Sequence, residues 1–119
     1  MPTIRASAGC VTQINYIKVD PRHVDKLIGK MRHQLDRVTS RAPGFISSSI
    51  HRSYDGNHVV NYVQFASARL LDEVHQSTAF QELFAGYRSL VIEGGPILYD
   101  VVEVRERSPE ASSAQEQAR

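Results

Sequence analysis

Residues 58–66 read HVVNYVQFA. Side chains of an extended segment alternate between two faces. Val59, Asn61, Val63 and Phe65 fall on one face, and His58, Val60, Tyr62 and Gln64 on the other. The pattern predicts a strand whose more apolar face meets a core, with Asn61 in the middle of that face. A buried amide without partners costs about 1–3 kcal/mol. Either the fold satisfies Asn61, or the amide is held for a ligand.

The flanking sequence places this strand. Asp55-Gly56-Asn57 is a hairpin signal, so GFISSSIHRSYD (44–55) reads as the strand before it. Upstream, VTQINYIKV (11–19) alternates in the same way, with Val11, Gln13, Asn15, Ile17 and Val19 on one face. Asp20 is a good N-cap and Pro21 suits a first helical position. Val24, Leu27, Ile28, Met31, Leu35 and Val38 then recur at spacings of three and four, a single apolar stripe ending near Ser40. Downstream, Ser67 caps a short helix through His75. Ser77 caps another with a stripe of Phe80, Leu83, Phe84, Tyr87 and Leu90. Gly94, Gly95 and Pro96 are expected to end that segment, and ILYDVVEV (97–104) to form the last strand.

The order β-α-β-β-α-β predicts an α+β fold, the ferredoxin-like arrangement of an antiparallel sheet with helices on one face. Its first and third strands are central neighbours, so Asn15 and Asn61 meet between sheet and helices. Two amides there, with Gln13 beside them, point to a ligand pocket. The opposite sheet face is expected to carry Ile14, Tyr16, Ile46, Ile50, Val60, Tyr62, Leu98, Val102 and Val104. Helices cover only one face in this topology. The apolar second face therefore predicts a homodimer packed sheet on sheet.

The chain has 119 residues, enough for one domain. Residues 1–9 are expected to be loose, 10–105 to form the domain, and 106–119 to be a disordered tail of small and polar residues. Charge is balanced, 14 Lys+Arg against 13 Asp+Glu, with no basic stripe to suggest nucleic acid. No apolar run approaches the ~20 residues needed to span a membrane. MPTIRASAGC lacks the apolar centre of a secretory signal, and Cys10 is a lone cysteine, so a cytoplasmic setting is expected. The histidines at 23, 33, 51, 58 and 75 form no metal-binding spacing, and no nucleotide-binding motif is present.

APGF (42–45), YDGNHVVNYVQFAS (54–67) and HQSTAF (75–80), in this order and spacing, resemble the antibiotic biosynthesis monooxygenase family. The resemblance covers roughly residues 11–104. It implies a dimeric α+β barrel, closest to small polyketide-pathway anthrone oxygenases. These oxidise a phenolic anthrone to a quinone with dioxygen and without flavin, haem or metal. It implies catalytic roles for Asn15 and Asn61. Phe65 stands where that group has a tryptophan; it can stack on a flat polycycle but lacks the indole N–H. Phe80 and Phe84, with Met31 and Leu83, are candidates for the ring wall, and His51 and His75 for substrate contact or proton handling. Tyr87 is a further possible donor. Other readings on the same fold are a polyketide-binding auxiliary protein and an oxygen-independent cyclase or isomerase using His51 or His75 as base. Haem degradation fits less well, because Phe84 stands where the iron-binding histidine would be.

Overall fold

The computed structural model describes residues 10–108. Strand β1 (Val11–Val19) leads through a 3-10 turn into helix α1 (Val24–Arg37). The hairpin of β2 (Phe45–Arg52) and β3 (His58–Phe65) follows, then helices α2 (Ala68–Gln76) and α3 (Thr78–Ala85) and strand β4 (Val91–Tyr99). The four strands form one antiparallel sheet in the order β2-β3-β1-β4, the ferredoxin-like α+β arrangement.

Local chemistry sets the boundaries. Asp20 accepts from the Arg22 backbone N–H, and Pro21 follows it. Ser67 and Ser77 accept from the N–H groups of Leu70 and Phe80 and so cap α2 and α3. In the hairpin turn Gly56 has φ of 76°, a conformation that favours glycine, and Asp55 accepts from the Asn57 N–H. No helix of the described residues is long and apolar enough to cross a membrane.

The core between sheet and helices is split. One cluster gathers Ile17, Val19, Val24, Leu27, Met31, Val59 and Tyr87; the other gathers Val63, Phe65, Leu71 and Val74. Along the inner face of β3, Asn61 separates Val59 of the first from Val63 of the second. On β1, Asn15 lies directly opposite Asn61. The polar residues of the two central strands thus fall where the apolar core parts.

Two expectations change. The last strand is β4 at 91–99, not 97–104, and residues 100–108 carry no regular structure. Gly94-Gly95-Pro96 sits inside it. An edge strand tolerates proline because its outward N–H has no ladder partner. A Cβ on Gly94 would lie 2.1 Å from the Tyr16 carbonyl oxygen, so glycine lets β4 approach β1. Second, a bulge between Phe45 and Ser47 reverses the faces of β2. Phe45 pairs with Phe65 on the inner side, but Ser47, Ser49 and His51 then pair with outer residues, and Ile50 turns inward opposite Asn61. The outer face accordingly carries Ile14, Tyr16, Val60, Tyr62, Ile97 and Tyr99. Leu98 pairs with the inner Gln13, and Val102 and Val104 lie beyond the strand. The expected loose segment 1–9 and most of the expected tail, 109–119, lie outside the described residues.

Candidate active site

A cavity of about 180 Å³ occupies the gap between the two core clusters. The sheet contributes Gln13 and Asn15 from β1, Asn61 and Val63 from β3 and Pro96 from β4. Helix α1 contributes Met31, Gln34 and Leu35, α2 contributes Leu71 and His75, and α3 contributes Phe80, Gln81 and Phe84; Thr39 and Tyr87 complete the wall. No carboxylate, lysine or arginine is among these residues. The cavity is an uncharged box with apolar and aromatic sides and amides on its floor.

The Asn61 Oδ1 atom is buried and has no hydrogen-bond partner among the described residues. The Asn15 side chain makes no hydrogen bond to a described residue either. Alternation puts both amides on the inner face, and the β1–β3 register puts them opposite each other. The two are not paired with one another, as a purely structural role would arrange.

Tyr87 and Gln34, by contrast, are paired. The Tyr87 hydroxyl donates to Gln34 Oε1 at 2.6 Å, and Gln34 Nε2 donates to the Phe80 carbonyl at 3.2 Å. This bridge ties the turn after α3 to α1. Burial pushes the Tyr87 pKa up to about 12, so the phenol keeps its proton. Burial also lowers the His75 pKa, opposed by the nearby Asp72 carboxylate. The His75 ring packs on Phe80 with centroids 4.8 Å apart. Among the described residues no group of three or more metal-ligating side chains converges.

Five of the seven site residues named from sequence meet here: Asn15, Asn61, His75, Phe80 and Phe84. Phe65 does not. It is wholly buried beyond Val63, with its ring edge-on to Phe45 at 5.8 Å, and its surface is taken up by the second core cluster. His51 does not either. The β2 bulge turns it to the outer face opposite Val60, where it is exposed and its Nε2 lies 2.9 Å from Ser49 Oγ. Gln34 was missed. It stands at helical spacing from Met31 and Val38, and a buried glutamine on an apolar stripe carries the same signal as Asn61 on its strand.

Fold and cavity together define a ferredoxin-like α+β domain with an uncharged cavity between sheet and helices, floored by two unpaired amides. A family model described as antibiotic biosynthesis monooxygenase matches residues 10–86, and the chain belongs to that family. The tetracenomycin-F1 monooxygenase of Streptomyces glaucescens is 31% identical over 90 residues, which cover 76% of this chain and 80% of that protein. Among solved structures, SnoaB, a cofactor-independent oxygenase from Streptomyces nogalater, superposes with a TM-score of 0.67 at 18% identity, over 82% of this chain and 97% of that one. A conserved protein from Methanosarcina mazei Go1 gives 0.68 at 15% identity, over 76% of this chain and 90% of that one. The last two likenesses concern the fold alone.

Proposed function

We propose that this monooxygenase-family protein oxidises a phenolic aromatic polyketide of the anthrone type to a quinone with dioxygen, without a cofactor. The observation that carries the reading is the unpaired Asn61 Oδ1 in an uncharged, aromatic-walled cavity. An unpaired buried acceptor suits an O–H donor on the ligand, and the amide N–H groups of Asn61 and Asn15 suit a carbonyl that becomes an oxyanion. A phenol beside a ring carbonyl offers both. Phe80 and Phe84 are placed to hold the ring plane. The relatedness to a tetracenomycin-F1 monooxygenase supports a polycyclic aromatic substrate.

The chemistry asks little else of the protein. Dioxygen is a triplet and reacts slowly with closed-shell molecules. An anthrone deprotonated at its benzylic carbon is electron-rich enough to pass one electron to dioxygen. Closure of the C–O bond gives a peroxide, and loss of water leaves the quinone carbonyl. Asn61 and Asn15 stabilise the delocalised oxyanion throughout. A preorganised donor of this kind contributes roughly 3–4 kcal/mol in other enzymes. The outer sheet face, with Tyr16 47% and Ile97 57% exposed, supports a second copy of the chain as its partner.

The test is oxygen uptake and quinone absorbance with a hydroxylated anthrone, chelator and no cofactor. The wild type should turn over, and Asn61→Ala should lose about a hundredfold or more. Binding of the anthrone without uptake would replace this reading with that of a binding protein; anthrone conversion without oxygen would replace it with a cyclase or isomerase.

A further inference from the structure

The cavity wall at His75 is shared. A second cavity of about 120 Å³ lies between α2 and β4, and Gln13, Leu71, His75 and Pro96 line both spaces. Asp72, which is exposed, borders only the second. His75 is therefore the titratable member of the wall that the space at Asn61 shares with a compartment reaching an exposed carboxylate.

Two side chains that line the main cavity carry titratable protons, His75 and Tyr87. Tyr87 is committed, because its hydroxyl donates to Gln34 and burial holds its pKa near 12. The His75 ring nitrogens make no hydrogen bond to any described residue. Burial favours the neutral ring, which has a free lone pair to offer. The one charge facing it is Asp72, a turn earlier on the same helix. The other elements around the two cavities present Gln13 from β1, Pro96 from β4, and Phe80 and Gln81 from α3, none of them charged.

We infer that His75 is the proton acceptor of the reaction, and that the second cavity is the route by which its proton exchanges with solvent past Asp72. This rests on the oxygenase reading above. The benzylic C–H bond breaks, its electron pair stays on the substrate as the delocalised carbanion, and the proton bonds to a His75 ring nitrogen. Dioxygen takes one electron from the carbanion and the radical pair closes the C–O bond. The imidazolium returns its proton to the terminal peroxide oxygen. The hydroperoxide then loses water, taking the second benzylic hydrogen, and leaves the carbonyl.

Proton abstraction is separable from oxygenation. In anaerobic deuterium oxide, exchange of the benzylic hydrogens of a dihydroxyanthrone is followed by NMR with the full chain, His75→Gln and His75→Ala. The wild type is expected to accelerate exchange at least several hundredfold over buffer. Both variants should lose about a hundredfold of that rate while binding the anthrone within a few-fold, in keeping with the usual contribution of a general base. A wild type that does not accelerate exchange, or variants that exchange at the wild-type rate, overturns the assignment. A second measurement needs no variant: the His75 ring resonances, titrated in the wild type, should move when the anthrone binds, and unmoved resonances overturn it. Exchange that persists without oxygen uptake on admitting air would remove the oxygenase reading and keep His75 as a base. Uptake with undiminished exchange in both variants would do the reverse.

Discussion

Replacing Asn61 by leucine is expected to make the empty protein more stable while abolishing turnover. Leucine has the same number of side-chain heavy atoms, branched at the same carbon, so the change is close to volume-conserving. Asn61 Oδ1 is buried without a partner, and the amide nitrogen bonds to no described residue, so no hydrogen bond is lost. What disappears is the desolvation of an unpaired acceptor, about 1–3 kcal/mol. The lower end, about 1 kcal/mol, is the working figure. The incoming methyl groups meet Ile50 across the β2–β3 pair and lie between Val59 and Val63 on their own strand. Divided by a urea slope of roughly 1–3 kcal/mol per molar, that gain raises the unfolding midpoint by about 0.3–1 M with the slope unchanged. The assay is circular dichroism in urea at fixed protein concentration, with oxygen uptake measured on the same preparations. A midpoint below that of the wild type would show that Asn61 holds the fold together, and the ligand argument would fall with it.

Three further outcomes follow from the geometry. Tyr87→Phe leaves the buried Gln34 Oε1 without its donor and should cost about 1–3 kcal/mol, seen as a lower melting temperature; a variant as stable as the wild type would count against the bridge. His75 binds a proton less readily folded than unfolded, so stability is full above the ordinary value of 6.5 and falls as pH drops from there toward its lowered folded pKa. Urea midpoints across that window should decline in the wild type and less so in His75→Gln, and parallel declines would refute the burial effect. The outer face predicts a sedimenting species of twice the chain mass, reduced to the chain mass by Ile97→Asp; a wild type that sediments as a monomer would exclude the sheet-on-sheet pair.

Alternation and topology made the meeting of the two amides at the candidate site legible in the sequence. Once 11–19 and 58–66 read as neighbouring central strands, Asn15 and Asn61 had to share the helix-facing side, and they lie opposite each other. The helix caps were equally plain, since Ser67 and Ser77 act through local bonds. What escaped depends on tertiary context. A one-residue bulge at Phe45/Ser47 leaves no mark in a run of serines, yet it turns every following side chain of β2 over, moving His51 out and Ile50 in. Gly94-Gly95-Pro96 looks like a terminator, but an edge position excuses the proline and close approach to Tyr16 requires the glycine. Phe65 shares a face with Asn61, but alternation is silent about depth along the strand, where the second core cluster absorbs its ring.

The cavity draws its walls from both halves of the chain. Gln13, Asn15, Met31 and Gln34 come from the first β-α unit, and Asn61, His75, Phe80 and Phe84 from the second. Neither half can form the pocket alone, and a molecule held there acts as a clasp between them. Its binding energy is then linked to global unfolding: at a hundred times its dissociation constant an occupant adds about 2.7 kcal/mol to the stability of the whole domain. Amide hydrogens that exchange only through global unfolding, including ones far from any contact with the ligand, should exchange more slowly in its presence, so that occupancy is written across the backbone as well as at Asn61.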